Sequence, residues 1–247
     1  MLRTAFIAVL LSIYILIVGP PLLIYTLLSK RVDPLYWAGV KGVVFFVRAV
    51  GVKLRVVGTE RIPAGTCLFA ANHTSSADAP AVVGAIPRRI AILLKESLFQ
   101  WPIVGAAFTL AHFVPVNRGS HDSAIRSVDR AIAAMKQGQS FLIYPEGTRS
   151  PDGRLQEFKK GAAVMAIHAG VPIVPMACSG AHKVMEKRSL VVRRGEILVE
   201  FLEPIDATKY TFAQRDELNA RLHAVMAAGL PEDQRPLRTG EPAPAGA

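Results

Sequence analysis

The hydropathy pattern divides the chain near residue 52. Ahead of that point Thr4–Ser29 contains no charged residue and is dominated by Leu, Ile and Val. It is long enough to cross a hydrocarbon core, which takes about 20 helical residues. Gly19-Pro20-Pro21 falls in its middle, where two prolines without backbone donors kink or break a helix. Beyond Lys30-Arg31-Val32-Asp33-Pro34, a second apolar stretch over residues 35–52 carries Trp37, Phe45 and Phe46 together with Lys41 and Arg48. Tyr36 and Trp37 suit a membrane interface. The pattern therefore predicts a membrane anchor, built either as one kinked span or as two helices dipping into one leaflet. A cleaved signal peptide fits less well, because the run is too long and has no clear small-residue cleavage site before Lys30.

From residue 52 the texture is globular. Lys53-Leu54-Arg55-Val56-Val57-Gly58 alternates as a strand does, and short apolar runs follow at Cys67-Leu68-Phe69-Ala70-Ala71, residues 89–94, 112–116, 140–144 and 171–177. Residues 190–192 and 196–202 flank Arg193-Arg194-Gly195 and predict a hairpin. Between the strands lie helical patterns: one opening at Asp78 with Ser75 or Ser76 as N-cap, then residues 98–110, 121–137, 158–168 with Gly170 as cap, and 212–228. Residues 98–110 read as membrane-facing or substrate-facing. This alternation predicts a mixed α/β fold, a central sheet flanked by helices, behind an N-terminal hydrophobic helical segment. The expected organisation is an anchor over residues 1–50, a catalytic domain over 51–229, and a disordered tail over 230–247, which is rich in Pro, Gly and charge.

Composition narrows the partners. The formal net charge of +10 points to nucleic acid or an acidic membrane surface. The basic residues are scattered and not interleaved with stacking aromatics, which argues against nucleic acid, and the apolar N-terminus favours the membrane. Cys67 and Cys178 stand alone inside apolar runs, without the spacing of a metal site or a disulfide framework, and read as reduced core residues.

Two loops carry the candidate chemistry. In Asn72-His73-Thr74-Ser75-Ser76-Ala77-Asp78, a separation of five positions on one helix would turn His73 and Asp78 apart by about 140°. They meet only if His73 precedes the helix that Asp78 opens. An acid there fixes the imidazole tautomer and supports its protonated form, leaving the other ring nitrogen to take a proton from a hydroxyl. A metal site would need further ligands. The second loop, Pro145-Glu146-Gly147-Thr148-Arg149-Ser150-Pro151-Asp152-Gly153, combines a permissive Gly147, the hydroxyls of Thr148 and Ser150, and the planar donor fork of Arg149. These suit the oxygens of a phosphate. Lys95 and Arg118 emerge past the ends of two further predicted strands, where ligands of α/β sheets bind. His168 and His182 lack acidic neighbours in sequence and read as bystanders.

Asn72-His73 to Asp78, followed by Tyr144-Pro145-Glu146-Gly147-Thr148-Arg149, resembles the glycerolipid acyltransferase family, best known through its lysophosphatidic acid acyltransferases. Phe113-Val114-Pro115-Val116-Asn117-Arg118-Gly119 is similar to the acceptor-binding block and Val171-Pro172-Ile173-Val174-Pro175 to the last block. Four blocks in order span roughly residues 54–205, with Tyr144 where Phe is more frequent and Pro115 inside an aliphatic block. The resemblance implies acyl transfer from acyl-CoA or an acyl carrier protein to the sn-2 hydroxyl of lysophosphatidic acid, without a cofactor or metal. His73 and Asp78 would be catalytic. Lys95, Arg118, Glu146, Gly147, Thr148 and Arg149 would bind substrate, with Glu146 positioning Arg149 or the acceptor and Gly147 with neighbouring amides facing the oxyanion. It also supports a two-helix membrane motif. The expected partners are membrane lipids and the acyl donor, and the expected location is the cytoplasmic face of a bacterial inner membrane. Two rivals remain: a same-family enzyme on another lyso-lipid, such as a lyso-ornithine lipid, and a non-enzymatic lipid-binding protein needing neither His73 nor Asp78.

Overall fold

The computed structural model describes residues 2–117, 119, 121–186, 189 and 191–237. Helix α1 (Leu2–Ser29) continues through Gly19-Pro20-Pro21 as one element. The bare Gly19 lets it close on Ile103, whose Cγ2 stands 2.6 Å from where a Cβ would be. Helix α2 (Asp33–Ala49) starts with Pro34 in its first turn, a position that needs no donor, and returns along α1. There the Tyr14 hydroxyl donates to the Ala38 carbonyl at 2.9 Å. The two apolar stretches are thus two separate helices packed side by side. Helix α2 and its N-cap are part of the core: Val32, Tyr36 and Phe46 are buried, and the Tyr36 hydroxyl accepts the Ile90 N–H at 3.2 Å. A boundary at residue 50 would cut through packed core.

The remaining elements alternate, as the periodicity predicts: β1 (Val52–Val57), β2 (Leu68–Ala71), α3 (Asp78–Ala85), β3 (Ala91–Lys95), α4 (Pro102–Leu110), β4 (Val114–Val116), α5 (His121–Lys136), β5 (Phe141–Ile143), α6 (Gly161–Ala169), β6 (Ile173–Ser179), α7 (Ala181–Val184), β7 (Gly195–Phe201) and α8 (Arg215–Gly229). They form a mixed α/β fold around a seven-stranded sheet of order β1-β7-β6-β2-β5-β3-β4. Each adjacent pair is parallel except β6 and β7, which run antiparallel. Both faces of β2 are covered. Phe69 and Ala71 join the core with Ala81 and Val82 of α3, while Leu68 and Ala70 join Ala162 and Met165 of α6 and Leu222 of α8. Burial on both sides explains why the central strands read as unbroken apolar runs.

Two expectations need correction. The hairpin around Arg193-Arg194-Gly195 does not form, since Val191 and Val192 belong to no strand; β7 pairs instead with β6 and with β1 from the start of the domain. The tail begins later than composition suggests. Glu232–Gln234 forms a 3-10 turn with Gln234 buried. Its side chain accepts the Gly180 N–H and donates to the Gly153 carbonyl, because a buried amide must find partners. Residues 238–247 lie outside the described residues.

Candidate active site

Because β6, β2, β5, β3 and β4 are parallel, their carboxyl ends share one edge of the sheet. At that edge β2 delivers His73, β5 delivers the Glu146 loop and β3 ends at Lys95. The exit from β2 is held by Asn72, whose side chain acts as one more rung of the ladder. Its Nδ2 donates to the Cys178 carbonyl at 2.9 Å, and its Oδ1 accepts the Cys178 N–H at 2.7 Å. The next residue is thereby fixed in position.

His73 and Asp78 meet as their spacing requires. His73 Nδ1 lies 3.0 Å from Asp78 Oδ2, and Asp78 is fully buried. The Asp78 carboxylate also accepts the Thr74 N–H at 2.6 Å, the Ser75 N–H at 2.7 Å and the Thr74 hydroxyl at 3.3 Å. In the tautomer that carries its proton on Nδ1, the ring donates to Asp78 and leaves Nε2 as its acceptor. Among the described residues Nε2 has no hydrogen-bond partner. The expected capping by Ser75 is made one turn early, its Oγ accepting the Ala77 N–H at 3.0 Å. Ala77 occupies the N-cap position of α3, and the carboxylate of Asp78 itself gathers the amides before the helix. Ser76 instead accepts Arg149 Nη1 at 2.6 Å.

The second loop folds back onto the first. One oxygen of Glu146 accepts the His73 backbone N–H and the other the Gln156 N–H at 3.0 Å, and the His73 carbonyl accepts the Ser150 N–H at 2.7 Å. Glu146 thereby holds the backbone of the His73 loop. Burial, assisted by the charge of Asp78, pushes its carboxyl up to about 7, against the two amides that favour the ionised form. The N–H of Gly147, expected to face an oxyanion, is donated to the Tyr144 carbonyl at 3.0 Å. Among the described residues the Thr148 amide makes no backbone hydrogen bond. Lys95 is exposed at the end of β3, Thr148 is exposed, and Arg149 is half-buried. Arg118 lies outside the described residues.

Three features escaped the sequence reading. The Tyr144 ring stacks on His73 with centroids 4.2 Å apart and planes 23° apart, a contact that Phe would make equally well. Cys178 lies against Asp78, Sγ to Oδ1 3.6 Å, its thiol held well above its usual range by burial. Finally, an apolar cavity of about 340 Å3 lies between α1, α2, α3, α4 and β3. Its lining includes Ala79 and Pro80, the residues that follow Asp78, with Leu94, Val104, Phe108, Val18 and Gly39. The segment 98–110, read as membrane-facing or substrate-facing, supplies one wall. Among the described residues no three His, Cys, Asp or Glu side chains converge as a metal site.

A family model described as Acyltransferase matches residues 53–179. The chain is 32% identical over 208 residues to the 1-acyl-sn-glycerol-3-phosphate acyltransferase of Limnanthes douglasii, covering 84% of this chain and 73% of that one. It is 29% identical over 171 residues to the protein of the same name from Borreliella burgdorferi, covering 69% and 68%. The crystal structure of the 1-acyl-sn-glycerophosphate (LPA) acyltransferase PlsC from Thermotoga maritima superposes with a TM-score of 0.80 at 26% identity, covering 92% of this chain and 93% of that one.

Proposed function

The chain belongs to the acyltransferase family, and from that premise we propose that it transfers an acyl group from acyl-CoA or an acyl carrier protein to the sn-2 hydroxyl of lysophosphatidic acid, forming phosphatidic acid. The observation that carries this reading is the His73–Asp78 pair at 3.0 Å beside an apolar cavity that starts at Ala79. Nε2 of His73 takes the proton of the acceptor hydroxyl as its oxygen attacks the thioester carbonyl. The tetrahedral intermediate collapses, the carbon–sulfur bond breaks, and the imidazolium returns the proton to the departing thiolate. Asp78 supports the transient positive charge without taking the proton. No acyl-enzyme is formed.

In this reading the Thr148 amide donates to the oxyanion, a role that the engaged Gly147 amide leaves open. Arg149, Arg118 and Lys95 hold the acceptor phosphate. The cavity takes hydrocarbon, since its walls offer almost nothing polar to an acyl chain. Membrane association rests on Thr4–Ser29, a helix apolar enough to enter a bilayer. Lys30, Arg31, Lys41 and Arg48 beside it support a cytoplasmic-face location.

The deciding experiment is acyl transfer by purified protein to a panel of lyso-lipids, with acyl-CoA and acyl carrier protein each tested as donor. Preferential acylation of lysophosphatidic acid at sn-2 is the expected result. Preference for another lyso-lipid in direct competition would overturn the product, and wild-type turnover by His73→Ala would overturn the mechanism.

A further inference from the structure

We propose that Lys159 is a specificity-determining residue of this site, its ammonium taking a phosphate oxygen of a bound substrate; the inference rests on the acyltransferase reading above. Lys159 precedes α6, and its backbone N–H is tied to the catalytic loop through the Pro145 carbonyl at 2.8 Å. Its side chain then crosses Gly147. Lys159 Cδ, Cε and Nζ lie 3.0, 2.9 and 3.1 Å from where a Cβ on residue 147 would stand. Gly147 has φ +72°, so glycine both makes the turn and leaves the groove in which the lysine stem rests.

Two other lysines at this end of the sheet are already paired. Lys160 pairs with Asp216 at 2.9 Å and Lys183 with Asp233 at 2.8 Å. Among the described residues no carboxylate lies within ion-pair distance of Lys159. The acids of the site point inward: Asp78 serves His73, Glu146 serves the amides of His73 and Gln156, and Asp152 accepts from Ser150 and Arg154. Because β5 sits between β2 and β3 in the sheet, the loop that Lys159 crosses stands between His73 and Lys95. An uncompensated ammonium laid over that loop matches a phosphate, which both substrates carry: a monoester in the acceptor, and phosphopantetheine in the donor.

The test compares wild type, Lys159→Gln and Lys159→Arg, varying acceptor at saturating donor and donor at saturating acceptor. Lys159→Gln is expected to raise KM for one of the two substrates about tenfold, the scale of one charge-assisted contact, with kcat within about threefold; Lys159→Arg restores it. A rise for lysophosphatidic acid that vanishes with monoacylglycerol assigns the acceptor; a rise for the acyl donor assigns phosphopantetheine. Equilibrium binding of glycerol 3-phosphate and of coenzyme A to the same proteins reads the contact without turnover, so it separates failure of this inference from failure of the substrate assignment. Unchanged KM values together with unchanged binding overturn the proposal, as does a fall in kcat alone.

Discussion

At the residue scale the proposed mechanism divides the site into groups that react and groups that hold them. His73→Ala is expected to lower turnover by at least about a hundredfold, the usual scale for losing a general base, while its circular dichroism stays that of wild type. Asp78→Asn carries a second cost, because the carboxylate gathers the Thr74 and Ser75 amides in a buried place. An Asn turns donors against donors there, so both activity and melting temperature should fall. Tyr144→Phe separates ring from hydroxyl. The stack on His73 survives, and a buried hydroxyl without a partner disappears; activity within about threefold and an equal or higher melting temperature are expected, and a large loss of either would show that the hydroxyl acts. Glu146 sets a pH dependence. Its carboxyl rises from 4.5 to about 7 on folding, so the fold favours its protonated form. The stability this group provides is full below about pH 4.5 and is lost as pH rises through about 7. Melting temperatures between pH 5 and 8 should therefore fall more steeply for wild type than for Glu146→Gln. The arginine prediction belongs here too: Arg149→Lys keeps charge but not the fork, and should raise KM for lysophosphatidic acid more than KM for the donor.

At the element scale, what positions His73 is the junction of β2 with β6. Asn72→Ala would strand the buried Cys178 N–H and carbonyl, at about 1–3 kcal/mol for each group, which denaturant unfolding measures. Gly105 tests α4, which walls the cavity. A Cβ there would stand 2.1 Å from the Phe99 carbonyl oxygen, a backbone atom that cannot swing aside. Gly105→Ala should thus destabilise by about 1–3 kcal/mol, more than Gly19→Ala, whose clash is with the movable end of Ile103. Much of this architecture was legible in the sequence because the signals are local: periodicity in α5, apolar runs in β2 and β5, a cap at Gly170. The pairing of β7 was not, because β1 reaches it across the whole domain and leaves no mark near Arg193. Likewise the His73–Asp78 meeting could be inferred from spacing, whereas the grip of Glu146 on the His73 amide could not, since it joins two loops at adjacent strand ends. The cavity draws on four helices and a strand, and no single stretch announces it.

On the scale of the whole molecule, α1 lies along the body. Thr4 bonds with Val192, Tyr14 with Ala38, and Gly19 closes on Ile103. Its outer face shows Phe6, Val9, Ile13, Leu16, Ile17, Ile24 and Leu28 exposed, at helical spacing. A helix fastened at both its first turn and its middle cannot leave the body on one side of a bilayer, so insertion into a single leaflet is expected. Thr4→Cys and Glu157→Cys should both react with an impermeant maleimide from the cytoplasmic side; labelling from opposite sides would contradict this. Cys67 and Cys178 are buried and leave the background low. Deleting residues 1–50 removes Val32, Tyr36 and Phe46 from the core, so loss of cooperative unfolding is expected.

The reversal of β7 and β1 against the other five strands has a consequence for kinetics. Strands running the other way begin where their neighbours end, so Val52, at the exit of α2, and Gly195 share the sheet edge that carries His73 and Lys95. The helices expected to enter the bilayer thus join the sheet at the edge that carries the proposed reacting groups, and a lyso-lipid would then be taken where it lies. Rate should then follow surface dilution: at fixed bulk lysophosphatidic acid, adding inert phospholipid to the vesicles should slow turnover in proportion to the falling mole fraction. A rate that tracked only bulk concentration would mean that the substrate arrives through water.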